Sequence, residues 1–194
     1  MRKIIGLTGP TGSGKSLVSN VAKDRGYQVI NCDLLARKAT EKGSYGLLCL
    51  AAAFGEEILN DDDTLNRKEL AKRAFASKEK TELLNKTLLP HIVKLIKKEI
   101  ASDRVLLDAP TLFESGIDGE CSLTLAVLAD KGTRKQRIMA RDNITESEAE
   151  LRINAGKTDE FYKLKADHII YNNGNLEEFK ANFLDVLEKG ENKK

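Results

Sequence analysis

The sequence is poor in the residues that build metal centres and disulfide frameworks. It has no tryptophan, three prolines, three cysteines and two histidines among 194 residues. Cys32, Cys49 and Cys121 do not have the spacing of a zinc or redox motif, so we expect buried, reduced thiols. His91 and His168 lack metal-like partners, which argues against a histidine-based metal site.

The sequence also lacks a long apolar run and an excess of either charge. No stretch approaches the roughly 20 apolar residues of a membrane-spanning helix, and we expect no signal peptide. The 32 basic residues nearly balance the 30 acidic ones, so no strong attraction to nucleic acid is expected. We therefore expect a cytoplasmic protein that binds neither membranes nor nucleic acid, as a monomer or a weak homo-oligomer.

Apolar, strand-like runs recur along the chain and alternate with helical stretches. This alternation is typical of an α/β fold, in which helices cover a parallel sheet. We predict one domain over residues 1–194 with about five strands. The strand-like runs are 4–8, 28–31, 105–109, 123–129 and 168–171.

Two regions interrupt this regular alternation. Residues 34–104 look helical, and their apolar side chains at helical spacing are most simply explained by core packing. That set is Leu83, Leu84, Leu88, Ile92, Leu95, Ile96 and Ile100. Residues 133–165 are rich in charge and stand late in the chain, where small-molecule kinases carry a mobile lid.

One glycine-rich segment carries a specific chemical signal. Residues 9–16, Gly-Pro-Thr-Gly-Ser-Gly-Lys-Ser, fit the phosphate-binding pattern G-x-x-x-x-G-K-[ST]. An apolar run precedes the segment and a helical pattern follows it, as this mechanism requires. In such a loop Lys15 reaches the β- and γ-phosphates, and the Ser16 hydroxyl holds Mg²⁺. The segment therefore predicts a protein that binds a nucleoside triphosphate.

Acidic residues stand at the ends of the second and third predicted strands. Ligands of open α/β sheets bind beyond the carboxyl ends of the strands, so both residues are candidates for the site. Asp33 could accept a proton from an attacking hydroxyl, or it could cap the following helix. Asp108 could hold Mg²⁺, or it could be a strand-end carboxylate in water. Arg37 stands one helical turn after Asp33 and would face the same side.

Three arginines share one predicted helix face in the charge-rich region. Arg134, Arg137 and Arg141 are spaced three and four apart. Such a face could clamp phosphates and neutralise charge during transfer, or it could be a solvated surface.

Several segments together resemble the dephospho-coenzyme A kinase family, in the family's order and over nearly the whole chain. Two segments are more specific to this family than the glycine-rich loop. They are Asp33-Leu34-Leu35-Ala36-Arg37 and Asp108-Ala109-Pro110-Thr111-Leu112-Phe113-Glu114. The full set is 9–16, 33–37, 108–114, 137–142 and 166–174.

The resemblance implies a phosphoryl transfer from ATP, with Mg²⁺, to the ribose 3′-hydroxyl of dephospho-coenzyme A. This is the last step of coenzyme A synthesis. The resemblance further implies a nucleotide-binding core, a helical acceptor-binding insertion over about 34–104 and a lid over about 134–157.

The resemblance also assigns roles to individual residues. Lys15, Asp33 and Arg141 are implied to be catalytic, with Asp33 as the base and Arg141 near the transferred phosphoryl group. Substrate binding is implied for Asp33, Arg37, Asp108 and Arg137, and metal binding for Ser16 and Asp108. ATP binding is implied for Gly9, Thr11, Gly12, Ser13, Gly14, Lys15, Ser16 and Leu17, and for Asn173 and Gly174 in the turn Asn172-Asn173-Gly174 near the adenine.

The chain departs from the family pattern at a few positions. The family's His-Pro in the helical insertion is replaced by Leu89-Pro90-His91, and Thr111 stands where a second leucine is common. A lid glutamine is replaced by Gly156 in the run Arg152-Ile153-Asn154-Ala155-Gly156. No role is therefore assigned to His91 or Gly156.

Two other functions fit the phosphate-binding loop. A nucleoside or nucleotide kinase would share the same core, and a nucleotide-binding regulator would need no turnover. The spacing of Asp33 and Arg37, with the long helical insertion, favours dephospho-coenzyme A as the acceptor. A regulator would leave Asp33 and the arginine-rich lid without a role.

Overall fold

A five-stranded, all-parallel sheet organises the protein. The computed structural model describes residues 2–192, and the strand order is β2-β3-β1-β4-β5. The predicted strands are confirmed to within one residue at each end. The strands are β1 Lys3–Thr8, β2 Gln28–Asn31, β3 Arg104–Asp108, β4 Leu123–Leu128 and β5 His168–Tyr171.

Helices connect the strands and cover both faces of the sheet. They are α1 Lys15–Asp24, α2 Cys32–Ala39, α3 Tyr45–Phe54, α4 Arg67–Ala74, α5 Lys78–Glu99, α6 Leu112–Ser115, α7 Lys131–Asp142, α8 Glu146–Asn154, α9 Asp159–Lys165 and α10 Leu176–Asn192. Two short 3₁₀ turns span Glu56–Ile58 and Ile117–Glu120. None of the helices in the described part of the chain combines the length and the apolar character that a membrane span requires.

The strands are buried on both faces of the sheet, and their side chains point alternately to opposite sides. In β3, Val105 and Leu107 join the core on one face, and Leu106 joins the core on the other. Helices α1 and α10 cover the Leu106 face, where Val18 and Phe183 are buried. Helices α2, α5 and α9 cover the opposite face.

The region between β2 and β3 is helical, as its apolar spacing predicts. Helix α5 runs through it and contributes to two cores. Its second half packs Ile92 and Ile96 against the sheet. Its first half packs Leu83 and Leu84 against a separate cluster made by α3, α4 and the first 3₁₀ turn. The insertion is thus a helical unit with its own core, anchored to the sheet by α5.

The charge-rich region contains a pair of packed helices, α7 and α8. A small core of Ile138, Ala149 and Ile153 joins them. Thr145 starts α8 with a capping box, in which its backbone N–H donates to Glu148 Oε2 at 2.8 Å.

Candidate active site

The phosphate-binding loop joins β1 to α1, as predicted. Helix α1 begins at Lys15, and Gly14 precedes it in the left-handed conformation with φ of 97°. No side chain of residues 2–192 caps this helix end. Backbone N–H groups at a helix N-terminus bind phosphate, because they carry the positive end of the helix dipole.

Asn172 supports this loop from the end of β5. The side chain is buried, and its Nδ2 donates to the carbonyl of Ser13 at 2.9 Å. Arg137 donates from Nη2 to Asn172 Oδ1 at 3.2 Å and from Nη1 to the Ser13 carbonyl at 3.4 Å. A Cβ on Gly14 would lie 2.1 Å from Asn172 Nδ2. Glycine is therefore required at position 14 by both its φ and its close neighbour.

Lys15 lies over the loop that precedes it. Its Nζ donates to the carbonyls of Gly9 at 2.7 Å and Pro10 at 3.2 Å. Burial lowers the pKa of Lys15, and the nearby carboxylates of Asp108 and Asp33 oppose that shift. The lysine and the two predicted acidic residues therefore share one electrostatic environment.

The sheet register explains why these residues meet. Asn31 pairs with Asp108, and Asp108 pairs with Leu7, across the neighbouring strands β2, β3 and β1. All three strands are parallel, so their carboxyl ends form one edge. The phosphate-binding loop leaves the same edge immediately after β1.

Asp33 is not the cap of α2. Helix α2 begins at Cys32, and Asn31 is the cap, with its Oδ1 accepting from the Leu34 N–H at 3.1 Å. The capping alternative for Asp33 is therefore wrong, because α2 begins at Cys32, two residues before the Leu34 start that a cap at Asp33 requires.

The surroundings of Asp33 change its affinity for a proton. Partial burial of the Asp33 carboxyl raises its pKa, and repulsion from Asp108 raises this pKa further. The residue as a whole is nevertheless exposed. Arg37 and Lys15 act on this pKa in the opposite direction. All four predicted charged residues therefore interact around one carboxyl group.

Asp108 and Ser16 have the chemistry of a magnesium site. Asp108 is half-buried, and its Oδ2 accepts from Ser19 Oγ at 3.0 Å. Ser16 and Asp108 both line a groove beside β2. Mg²⁺ binds oxygen ligands and commonly takes one or two from the protein and others from substrate phosphates. A hydroxyl and a carboxylate fit that requirement.

A cavity of about 740 Å³ opens beside the phosphate-binding loop. The segment after β3 forms a second wall, and the region around α7 and α8 forms the third. The lining comprises Gly9, Pro10, Thr11, Gly12, Gly14, Lys15, Ser16, Pro110, Thr111, Glu114, Arg137, Arg141, Arg152, Ala155, Gly156, Lys157 and Tyr162.

The three arginines of α7 have different surroundings. Arg137 and Arg141 line the cavity. Arg134 is buried and donates from Nη1 to Asp159 Oδ1 at 2.9 Å, which ties α7 to α9. The hypothesis of a common phosphate-facing set is thus wrong for Arg134, because its buried guanidinium is already paired with Asp159.

The remaining predicted ATP-binding residues differ in their positions. Thr11 lines the cavity, whereas Leu17 packs its side chain against the core beneath α1. Asn173 Oδ1 accepts from the Asp130 N–H at 2.9 Å and so holds the start of α7. Neither Asn173 nor Gly174 belongs to the described lining of the cavity. Contacts of these two residues with adenine stay a prediction.

Sequence reasoning does not find several residues of the site. The family resemblance groups Asn172 with the adenine turn, but its amide supports the phosphate-binding loop. Ser19 and Arg152 have no predicted role, although Ser19 binds Asp108 and Arg152 lines the cavity. A helical wheel of α1 could have placed Ser19 near the site, one turn after Ser16. No local signal in the sequence identifies the role of Asn172, since its partners are far away along the chain.

Comparisons with known proteins agree on one family. The dephospho-CoA kinase family model matches residues 3–178. A dephospho-CoA kinase from Listeria innocua is 38% identical over 200 residues, covering 100% of both chains. A dephospho-CoA kinase from Oryza sativa is 36% identical and covers 95% of this chain and 83% of the relative.

Solved structures have the same fold. The structure of TT1252 from Thermus thermophilus has a TM-score of 0.77 at 31% identity and covers 97% of each chain. A shikimate kinase from Bacteroides thetaiotaomicron has a TM-score of 0.58 at 12% identity, covers 98% of this chain and 99% of its own, and supports the fold alone. The family match over most of the sequence, with relatives of similar length, places this chain in the dephospho-CoA kinase family.

Proposed function

We propose that this protein transfers the γ-phosphoryl group of ATP to the ribose 3′-hydroxyl of dephospho-coenzyme A. The observation that carries the proposal is the position of Asp33. Its carboxyl interacts with Lys15 and Asp108. Asn31 caps α2, so the Asp33 carboxyl is not needed for that role. An available carboxylate beside a phosphate-binding loop is suited to accept a proton from an attacking hydroxyl.

The donor side of the reaction depends on charge. The loop N–H groups and Lys15 would bind the triphosphate, while Arg137 and Arg141 would neutralise charge that develops during transfer. Ser16 and Asp108 would hold Mg²⁺, which supplies charge neutralisation on the phosphates when bound.

The acceptor side depends on Asp33 and its neighbours. A raised pKa makes Asp33 a stronger base than an ordinary aspartate, as long as the pH keeps it ionised. Arg37 attracts the same carboxylate and stands one turn along α2. We assign binding of the acceptor to this helix and to the helical insertion that follows it.

The test is a direct assay of acceptor choice. Purified protein is incubated with ATP, Mg²⁺ and either dephospho-coenzyme A, a nucleoside or a nucleotide, and ADP release is followed. Mass spectrometry then locates the new phosphate on the product. We expect turnover with dephospho-coenzyme A and a phosphate on the 3′-oxygen.

Matched variants separate chemistry from binding. Asp33→Asn should lower kcat far more than it weakens ATP binding, whereas Asp61→Asn, at an exposed loop position, should leave both unchanged. Turnover confined to nucleoside or nucleotide acceptors would refute the proposed substrate. Equal losses of kcat and ATP affinity in Asp33→Asn would refute its role as the base.

A further inference from the structure

Asp142 binds two arginines that line the cavity. It accepts from Arg141 Nε at 2.7 Å and Nη2 at 2.9 Å, which makes a bidentate pair. Its Oδ2 also accepts from Arg152 Nη1. One carboxylate therefore joins the end of α7 to α8 and holds both guanidinium groups.

The position of Asp142 is unfavourable for the helix that contains it. It is the last residue of α7, where the helix dipole disfavours a negative charge. Consecutive helical side chains also point about 100° apart, so Arg141 must bend around the helix to reach its neighbour. The ion pair thus determines the orientation of the Arg141 side chain.

The two arginines need such a partner because of their surroundings. They line the same cavity as Lys15, Arg137 and Lys157, so their charges repel one another and those of their neighbours. Their side chains are 61% and 52% exposed, whereas that of Asp142 is only 20% exposed. Without Asp142, both long side chains would have many solvated conformations.

We propose that Asp142 is a positioning residue that holds Arg141 and Arg152 towards the transferred phosphoryl group. The proposal rests on the phosphoryl transfer proposed above. The bidentate bond uses Nε and one hydrogen of Nη2 of Arg141, and it leaves Nη1 available for a phosphate oxygen. Arg152 likewise keeps Nε and Nη2 available.

The experiment compares two ion pairs that join the same helices. Lys135 on α7 bonds to Glu146 and Glu150 on α8, but it does not belong to the described lining of the cavity. Asp142→Asn should lower kcat about 10- to 100-fold with a small change in KM for ATP, because the groups lost act on the reacting phosphoryl. Lys135→Gln should leave kcat within about twofold, although both variants weaken the contact between α7 and α8.

A second variant tests whether the effect passes through Arg141. In an Arg141→Lys background the bidentate bond is already lost, so Asp142→Asn should lower kcat by a factor several-fold smaller than in the wild type. The same factor in both backgrounds would overturn the proposal. An Asp142→Asn enzyme with unchanged kcat, or a Lys135→Gln enzyme with an equal loss, would also overturn it. An inactive wild-type enzyme would instead refute the proposed function.

Discussion

Removal of the Asn172 side chain should weaken both the fold and ATP binding. Asn172→Ala deletes the 2.9 Å bond to the Ser13 carbonyl and the 3.2 Å bond from Arg137. The Ser13 carbonyl keeps only the longer bond from Arg137 at 3.4 Å. At about 1 kcal/mol for each lost bond, with a further cost for the under-bonded buried carbonyl, the free energy of unfolding should fall by about 2–4 kcal/mol.

The assay pairs thermal unfolding with ATP kinetics. For a chain of this size, the loss corresponds to a fall in Tm of about 4–16 °C. KM for ATP should rise about tenfold or more, since the loop loses its support from β5. Asn175→Ala is the matched control. It removes an acceptor for the Glu177 and Glu178 N–H groups at 3.1 Å each, which costs about 1 kcal/mol without touching the loop.

A double-mutant cycle with Gly14 tests the steric part of the reasoning. Gly14→Ala in the wild type would place a Cβ 2.1 Å from Asn172 Nδ2 and displace that side chain. In the Asn172→Ala background only the backbone cost of φ near 97° remains, about 1–2 kcal/mol. The double variant should therefore be about 1–3 kcal/mol more stable than the sum of the single changes predicts. Strict additivity, or an Asn172→Ala protein with wild-type KM for ATP, would refute the account of this loop.

Three further predictions concern charged groups. Lys15→Ala should lower transfer at saturating ATP by at least about tenfold, because charge-assisted bonds to the phosphates are lost; an unchanged kcat would contradict the loop assignment. The pKa of Asp33 is raised in the folded state, so the folded protein loses stability as pH rises from the ordinary aspartate pKa through the folded-state pKa. Asp33→Asn removes this charge and should therefore raise Tm at pH 7. The difference should vanish below the ordinary value of 3.8, and a Tm difference that is independent of pH would show that the carboxyl is not its source. Breaking a fully buried ion pair costs about 3–5 kcal/mol. Asp159→Asn should lower the free energy of unfolding by less than this, because the Asp159 side chain is 32% exposed. An unchanged urea midpoint would show that Arg134 does not need this partner.

The sheet and its loop were predictable because their signals are local. Buried parallel strands require continuous apolar runs. In β3, Val105, Leu106 and Leu107 form such a run between Arg104 and Asp108. The Gly9–Ser16 pattern similarly contains in one segment the residues predicted to contact phosphate. Helix α5 was predictable from its spacing, although its division between two cores was not.

The capping of α2 and the roles of the arginines of α7 were not predictable in the same way. Asn31, Cys32 and Asp33 are adjacent, and the sequence alone does not decide which one caps the helix. Arg134 and Arg137 share a helix face, yet one is buried against Asp159 and the other reaches the Ser13 carbonyl. Their roles depend on partners from α9 and from the loop after β1.

The sequence by itself determined the strands, the helical insertion and the motif of the phosphate-binding loop. These features depend on side-chain periodicity and on short motifs, whose physical causes lie within a few residues. Only the tertiary structure decided that Asn172 supports the loop, that Asn31 leaves Asp33 available and that Asp142 holds two cavity arginines. Hydrogen bonds and ion pairs of this kind join separate segments, and their geometry exists only once the sheet register and the helix packing have brought those segments together.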